Sequence, residues 1–444
     1  MKIDFAEVVF DPASVADTNG RVFWWRGSVY RAVTERAASL YRTLLESGAF
    51  ERLIDAGMIG TEISSLSVDG YDLVLSHDTI RFRSYPFEWC NEMLKDAALL
   101  TCDVNLALAS IGLSTQDAHC WNVLFDGPMP KFVDVGSIAP GRGDSASWAR
   151  WYAEFQDYFL YPLYLMSVGQ GATARRLLSD VDEWVSRRRV ATFLPAAKRF
   201  QYGLDGFLGK PARFRSPMAF LQHLRRSVEA VELPECAAER SGHDEEEFPP
   251  MESSQGWSQR HQAVFEVLQR LRPSSVVDLG SSQGGHAKLA ARMGIPVVAL
   301  DEDEWCVKAL YADAAKHKIP VLPLIMDACA PSRSRTSPKY GDSYPAAQER
   351  LRGELVLALA MMHRLVFQQG LSLDEVVERL AAFSGRWLLV ESMPPPDCHA
   401  SPSRSGQPDW YSEESLVAAL GRRFARVELL DSTPAPQTLL LCER

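Results

Sequence analysis

Cysteine is sparse and scattered. The 444 residues hold eight, with no Cys-x-x-Cys pair and no Cys/His cluster. That spacing builds neither a zinc site nor a disulfide framework. Long apolar runs are missing too: TCDVNLALASIGL, from Thr101, is too short to cross a bilayer and carries Asp103. The opening MKIDFAEVVFDP has no basic region ahead of an apolar stretch, so no secretory signal and no membrane partner are expected, and the expected compartment is cytoplasmic. Basic residues are outnumbered, 47 Lys and Arg against 57 Asp and Glu, for a formal net charge of −10. This argues against a nucleic-acid coat or a polybasic membrane contact.

What is present suggests two or three domains. RVFWW and SVYRAV flank Gly27 like a hairpin. TERAASLYRTLLESGAFERLIDAGM, from Thr34, has leucines at helical spacing and is read as one helical run. Helix follows helix from 146 to about 235, and the Trp, Tyr and Phe there are expected to form core. The polar, acidic stretch 236–256 reads as a linker. After it, SSVVDLG, IPVVALDED, IPVLPLIMD, ELVLALAM and RWLLVESM alternate with helical segments, which implies a mostly parallel sheet. FARVELLDS and QTLLLCER are expected to pair antiparallel at one edge. PSRSRTSPKYGDSYP, from Pro331, reads as a mobile surface loop.

Ligands of an open parallel sheet bind beyond the carboxyl ends of its strands. Gly280, Gly284 and Gly285 follow the first strand, where a side chain would keep backbone from ligand. No Lys-Ser/Thr pair follows, so this is not a P-loop, whereas a dinucleotide remains open on position alone. Asp301 ends the second strand and can accept hydrogen bonds from a ribose diol in either case.

VVDLGSSQGG and its continuation resemble the class I S-adenosylmethionine-dependent methyltransferases. The resemblance implies that Asp278, Gly280, Ser282 and Gly284 form the first cofactor loop, that Asp301 holds the ribose hydroxyls, and that Asp327 approaches the adenine amine of S-adenosyl-L-methionine. No metal is required for methyl transfer. His363, just past LALAMM, is suited to remove a hydroxyl proton near neutral pH, and Glu391 is placed to bind an acceptor hydroxyl, orient His363 or cap a helix. DWYSEESL, containing Tyr411, is expected to border the pocket, with Ser412 as a helix N-cap. The Asn/Asp-Pro-Pro-Tyr/Phe loop of amino N-methyltransferases is absent, which weakens DNA and glutamine N-methylation; the base chemistry of His363 puts a hydroxyl acceptor first, with N- and C-methylation open.

A second constellation lies upstream. Asp117, His119 and Asn122 precede a short hairpin, and Asp134 follows it ahead of Val135-Gly136. Phosphoryl transfer needs a carboxylate at the acceptor and oxygen ligands for magnesium. DxHxxN followed by DxG resembles the protein-kinase-like fold, particularly its small-molecule phosphotransferases. That implies a catalytic acid at Asp117, metal ligands at Asn122 and Asp134, and a hinge at SYPFEWC, from Ser84. No GxGxxG loop and no VAxK lysine precede it, and Arg31 is the nearest basic candidate. His119 can serve the loop backbone alone. The expected role is a kinase-like domain reused for substrate or protein docking.

SYPFEWC, DAHCWNVLFDG, KFVDVGS and LALAMMHRLV together resemble the bacterial nodulation-associated methyltransferase family. The expected fold is α/β: a C-terminal Rossmann-like methyltransferase sheet over 257–444, mostly parallel with an antiparallel edge. An α+β, kinase-like domain over 1–235 precedes it, with a small lobe 1–85 and a helical lobe 86–235. The expected activity is methyl transfer to a hydroxyl of a small molecule or glycan-like precursor, in a setting such as natural-product tailoring. A Mg/ATP-dependent phosphotransferase or bifunctional enzyme and a noncatalytic interaction protein are the alternatives.

Overall fold

A computed structural model of the chain describes residues 1–14, 17–141, 145–180, 185–204, 214–235, 257–337, 343–359, 361–362, 364–392, 411–430 and 438–444. The linker read at 236–256 lies outside the described residues. Two compact units are formed. One is Met1–Glu235 with Ser334–Pro345, and the other is Cys236–Arg333 with Ala346–Arg444.

The first unit is α+β. Its five-stranded antiparallel sheet has the order Val9–Phe10, Gly20–Trp25, Ser28–Val33, Leu73–His77, Thr61–Ile63. Arg26 and Gly27, with φ of 49° and 82°, make the tight turn of the hairpin read around Gly27. The single helical run read from Thr34 is two helices, Glu35–Glu46 and Ala49–Asp55, because Gly48 (φ 70°) turns the chain left-handed between them. Half of the residues of helix Asn91–Ser110 are buried, and Asp103, the charge that interrupts its apolar sequence, accepts a 2.6 Å hydrogen bond from Arg225 Nε of helix Pro217–Glu229. Trp148, Trp151, Phe155 and Phe159 contact one another in turn at centroid distances of 5.5, 5.4 and 4.9 Å. All four are buried, as core rings should be.

The stretch read as a loop from Pro331 departs from expectation. Arg335–Thr336 pairs antiparallel with Ser343–Tyr344, and Ser334–Pro345 packs as part of the first unit. Its anchors are Tyr344 and Arg335, which sit among Ser, Pro and Gly residues that conceal them in the sequence.

The second unit holds seven strands: β1 (Val276–Leu279), β2 (Val297–Asp301), β3 (Val321–Ile325), β4 (Gly353–Ala358), β5 (Ser384–Ser392), β6 (Arg426–Leu430) and β7 (Thr438–Glu443). They lie in the order 3-2-1-4-5-7-6. β1 to β5 are mutually parallel, and β7 runs antiparallel between β5 and β6. This order resembles the Rossmann-like sheet of class I methyltransferases. β1 and β2 are buried at every residue, as strands covered on both faces must be. Helices α1 (Gln259–Leu271), α2 (Gly285–Arg292), α3 (Glu304–His317), α4 (Leu373–Phe383) and α5 (Glu413–Gly421) belong to the same unit. Val264 and Leu268 of α1 and Ala287 and Ala290 of α2 pack with Val276, Val297 and Leu355 in its core. Ser412 caps α5 as read, accepting from the Ser415 N–H at 3.2 Å.

Candidate active site

Strand order locates the site. From β1 the chain builds outward through β2 and β3, then returns to place β4 on the other side of β1. The carboxyl end of β1 is thus the switch point, where an open sheet leaves a crevice. The turn 280–284 stands there, and Gly280, Ser282 and Gly284 all have positive φ (66°, 48° and 74°). Two of its glycines are required by the protein itself. A Cβ on Gly280 would lie 2.9 Å from Met361 Cγ, and one on Gly284 would lie 2.5 Å from Leu310 Cδ1. Met361 and Leu310 stand where those side chains would be.

Three acids gather at this edge. Asp278 and Asp301 lie near the carboxyl ends of the adjacent strands β1 and β2, and Asp327 follows β3. Asp301 Oδ2 accepts from the Ser282 N–H at 2.8 Å and Oδ1 from the Asp303 N–H at 2.9 Å. It therefore fixes the strained turn, while a carboxylate keeps lone pairs for further donors. Asp327 Oδ1 accepts from the Cys329 N–H at 2.8 Å. Asp278 is 4% exposed. Burial, helped by the charge of Asp301, pushes its carboxyl up to about 7, against the pull of the Ala287 N–H and of Arg260.

Arg260, His261 and His286 were missed in the sequence. Arg260 stands in the first turn of α1, 3.5 Å through its Nε from Oε1 of Glu391. The Glu391 side chain is fully buried and that of Arg260 is 20% exposed. Glu391 thus faces the Arg260 guanidinium in an internal ion pair. The His261 and His286 rings are 5.1 Å apart, and burial, with Arg260 and His261 nearby, holds His286 well below the usual imidazole range. One signal was available: His261 shares the buried face of α1 with Val264, Val267 and Leu268, where an apolar residue is the rule. Tyr411 is buried edge-on to Phe367 at 4.8 Å, and burial raises its phenol to about 12. His363 lies outside the described residues.

The upstream constellation belongs to the first unit. Arg31, 4% exposed, pairs with Asp17 and lies 3.5 Å from Asp134 Oδ1. Burial raises the Asp134 carboxyl; Arg31 opposes this, and Asp17 and Asp117 add to it. Asn122 is 6% exposed, and its carbonyl accepts from the Val133 N–H at 2.8 Å, which ties the 119–122 turn to Asp134. Glu154 Oε2 accepts from the Ala118 N–H at 2.8 Å, fixing the same loop. Buried side-chain nitrogens remain unmatched here: among the described residues Arg31 Nε, His119 Nδ1, Trp121 Nε1 and Asn122 Nδ2 have no hydrogen-bond partner. The structure thus brings Asp117, His119 and Arg31 close enough to Asp134 to act on its carboxyl, while Tyr411 belongs to the other unit. Among the described residues no group of three His, Cys, Asp or Glu side chains is placed to hold a metal, and no helix is long and apolar enough to cross a membrane.

No protein-family model matches the chain. Nodulation protein NoeA of Rhizobium meliloti (strain 1021) is 27% identical over 455 residues, covering 93% of this chain and 91% of that protein. Magnesium protoporphyrin IX methyltransferase (ChlM) from Synechocystis PCC 6803 with bound SAM aligns with 41% of this chain and 78% of its own, at 17% identity and a TM-score of 0.29. The bifunctional kinase-methyltransferase WbdD aligns with 41% of this chain and 37% of its own, at 18% identity and a TM-score of 0.29. The strand order, rather than either superposition, defines the fold: the second unit has a class I methyltransferase-like, Rossmann-like architecture.

Proposed function

We propose that the chain binds S-adenosyl-L-methionine in its second unit and transfers the methyl group to a hydroxyl of a small molecule or glycan-like precursor. One observation carries the reading: a turn with three left-handed residues sits at the switch point, with Asp278, Asp301 and Asp327 at the ends of three adjacent strands. These residues fit the cofactor. Asp301 has lone pairs left for a ribose diol, Asp327 is placed for an adenine amine, and Arg260 supplies positive charge beside Asp278 and His286. Glu391 acts as a positioning residue, holding Arg260. When bound, the cofactor supplies an electrophilic methyl group. The chain's task is then to orient the acceptor and accept its proton, which His363, shortly after β4, is chemically suited to do. The likeness to a nodulation protein suggests a setting, but no acceptor.

Calorimetric titration of the full chain with S-adenosylhomocysteine, beside Asp301→Ala, tests this reading. Saturable binding by the wild type, weakened at least about tenfold in the variant, is the expected result. A folded wild-type protein that binds nothing would remove the cofactor assignment.

A second reading applies to the first unit, as a kinase-like domain that binds a nucleotide-type ligand without transferring phosphate. The unmatched donors Asn122 Nδ2 and Trp121 Nε1 favour a ligand rich in acceptor atoms. Arg31 beside Asp134 weighs against phosphoryl transfer, because a guanidinium stands where that resemblance places a metal ligand's cation. Mg-ATP turnover abolished by Asp134→Asn would reverse that last point.

A further inference from the structure

From Val185 to Leu204 the chain carries five Arg and Lys residues and no Asp or Glu, within a protein of formal net charge −10. Two short helices of the first unit, Arg187–Phe193 and Ala196–Gln201, hold most of this stretch. Their inner side is fixed. Val190, Leu194 and Leu204 are buried, and Arg199 Nη1 donates to the Ala191 carbonyl at 3.4 Å, tying one helix to the other. The Tyr202 ring stacks on Tyr164 of helix Tyr161–Met166 with centroids 3.9 Å apart, and its hydroxyl donates to Ser167 Oγ at 2.8 Å.

The outer side is of a different kind. Arg187, Arg188 and Arg189 are all exposed, and so are Pro195, Ala196 and Ala197. Phe193 is 45% exposed and Phe200 81%, more than any other large apolar side chain among the described residues. The two cations within this apolar strip turn back toward the protein: Lys198 Nζ lies 5.6 Å over the Tyr202 ring, and Arg199 reaches Ala191. One exposed ring needs no explanation, but two rings, a proline and two alanines beside three guanidiniums make a patch.

The chemistry of the patch selects its partner. Phenyl rings have no polar tip and gain by leaving water for an acyl boundary, while guanidiniums suit the phosphates of lipid headgroups above it. A nucleic-acid strand would lay phosphates along Pro195–Ala197, where no side chain can donate to them. The negative net charge is an average over the chain. Salt confines each exposed charge to about 8–10 Å, so remote acids do not cancel this face.

We propose that the outer side of these two helices rests on an anionic lipid surface, with Phe193 and Phe200 inserted and Arg187, Arg188 and Arg189 on headgroup phosphates. The contact lies on the bilayer without crossing it, and it uses no residue assigned to either site above.

Sedimentation of the full-length protein with vesicles tests this, using phosphatidylcholine alone or with about one-third phosphatidylglycerol. The wild type should bind the anionic vesicles at least about tenfold more tightly, since each cation near such a surface contributes about fivefold. One variant carries Phe193→Ser and Phe200→Ser, and another Arg187→Gln, Arg188→Gln and Arg189→Gln. Each should weaken binding at least about tenfold, with the fold checked by circular dichroism. Folded wild-type protein that ignores anionic vesicles, or binding that survives both variants, would overturn the proposal. Binding weakened by the arginine variant alone, or equal binding to polyuridylate, would mark a polyanion surface instead and would also overturn it.

Discussion

Asp278→Asn should raise the stability of the second unit, and the gain should depend on pH in a defined way. The Asp278 carboxyl lies at about 7 in the fold, against an ordinary value of 3.8. The folded chain therefore holds a proton that the unfolded chain has released, and stability falls as pH rises from about 4 to about 7. Above 7 both states are ionised and the loss levels off. The interval corresponds to a loss of about 4 kcal/mol when complete, at 1.36 kcal/mol per pH unit. Asn keeps the shape and an oxygen for the Ala287 N–H, yet has no charge to bury. Relative to wild type, the variant should gain about 2–3 kcal/mol between pH 5 and pH 8, nearly all of it below about pH 7. Urea unfolding read by pulse-labelled hydrogen exchange on the β1 and β2 peptides isolates the second unit. A difference between variant and wild type that stays flat with pH, or that shrinks as pH rises, would show that the carboxyl is not protonated in the fold and would refute the argument.

Gly284→Ala should destabilise the second unit by about 2–4 kcal/mol, since the new methyl meets Leu310 and the backbone stays at φ 74°. The same exchange measurement checks it, and a loss below half a kcal/mol counts against the packing role. Arg31→Met leaves Asp17 and Asp134 without their cation and should cost the first unit about 3 kcal/mol, part of which Asp134→Asn recovers. Thermal unfolding of the single and double variants reads this out, and full additivity would show that the two residues are not coupled. Asp301→Ala should loosen the turn at Ser282 as well as weaken cofactor binding, visible as faster amide exchange at 281–285 in the ligand-free protein.

The five parallel strands β1 to β5 were legible because parallel strands covered on both faces read as unbroken apolar runs. The acids at their ends were legible for the same reason, since each interrupts or closes such a run. Asp103 could be seen only as a flaw in an apolar helix; its partner Arg225 lies on another helix. Arg260 was passed over because its meaning comes from Glu391, a buried carboxylate on β5 that no local pattern connects to α1. Gly280 and Gly284 were noticed, but not what makes them necessary inside the protein. Their bare faces look toward Met361 and Leu310, and only the folded chain brings those side chains close. Tyr344 was hidden most completely, in a segment whose composition says loop and whose rings say anchor.

The passage of Ser334–Pro345 into the first unit sets an order of events during synthesis. A ribosome has finished Met1–Glu235 well before Tyr344 is made. Until then Trp121, Tyr85 and Phe87 wait without their fourth ring, and β1 to β3 have already been made. The first unit, although it begins the chain, is therefore completed late. Cleavage within 236–256 would yield two fragments, each lacking something the other carries. The N-terminal fragment would display an aromatic surface, and the C-terminal fragment a ribbon with nothing to hold, so neither half of this protein is a self-sufficient domain in the sense that its contiguous sequence suggests.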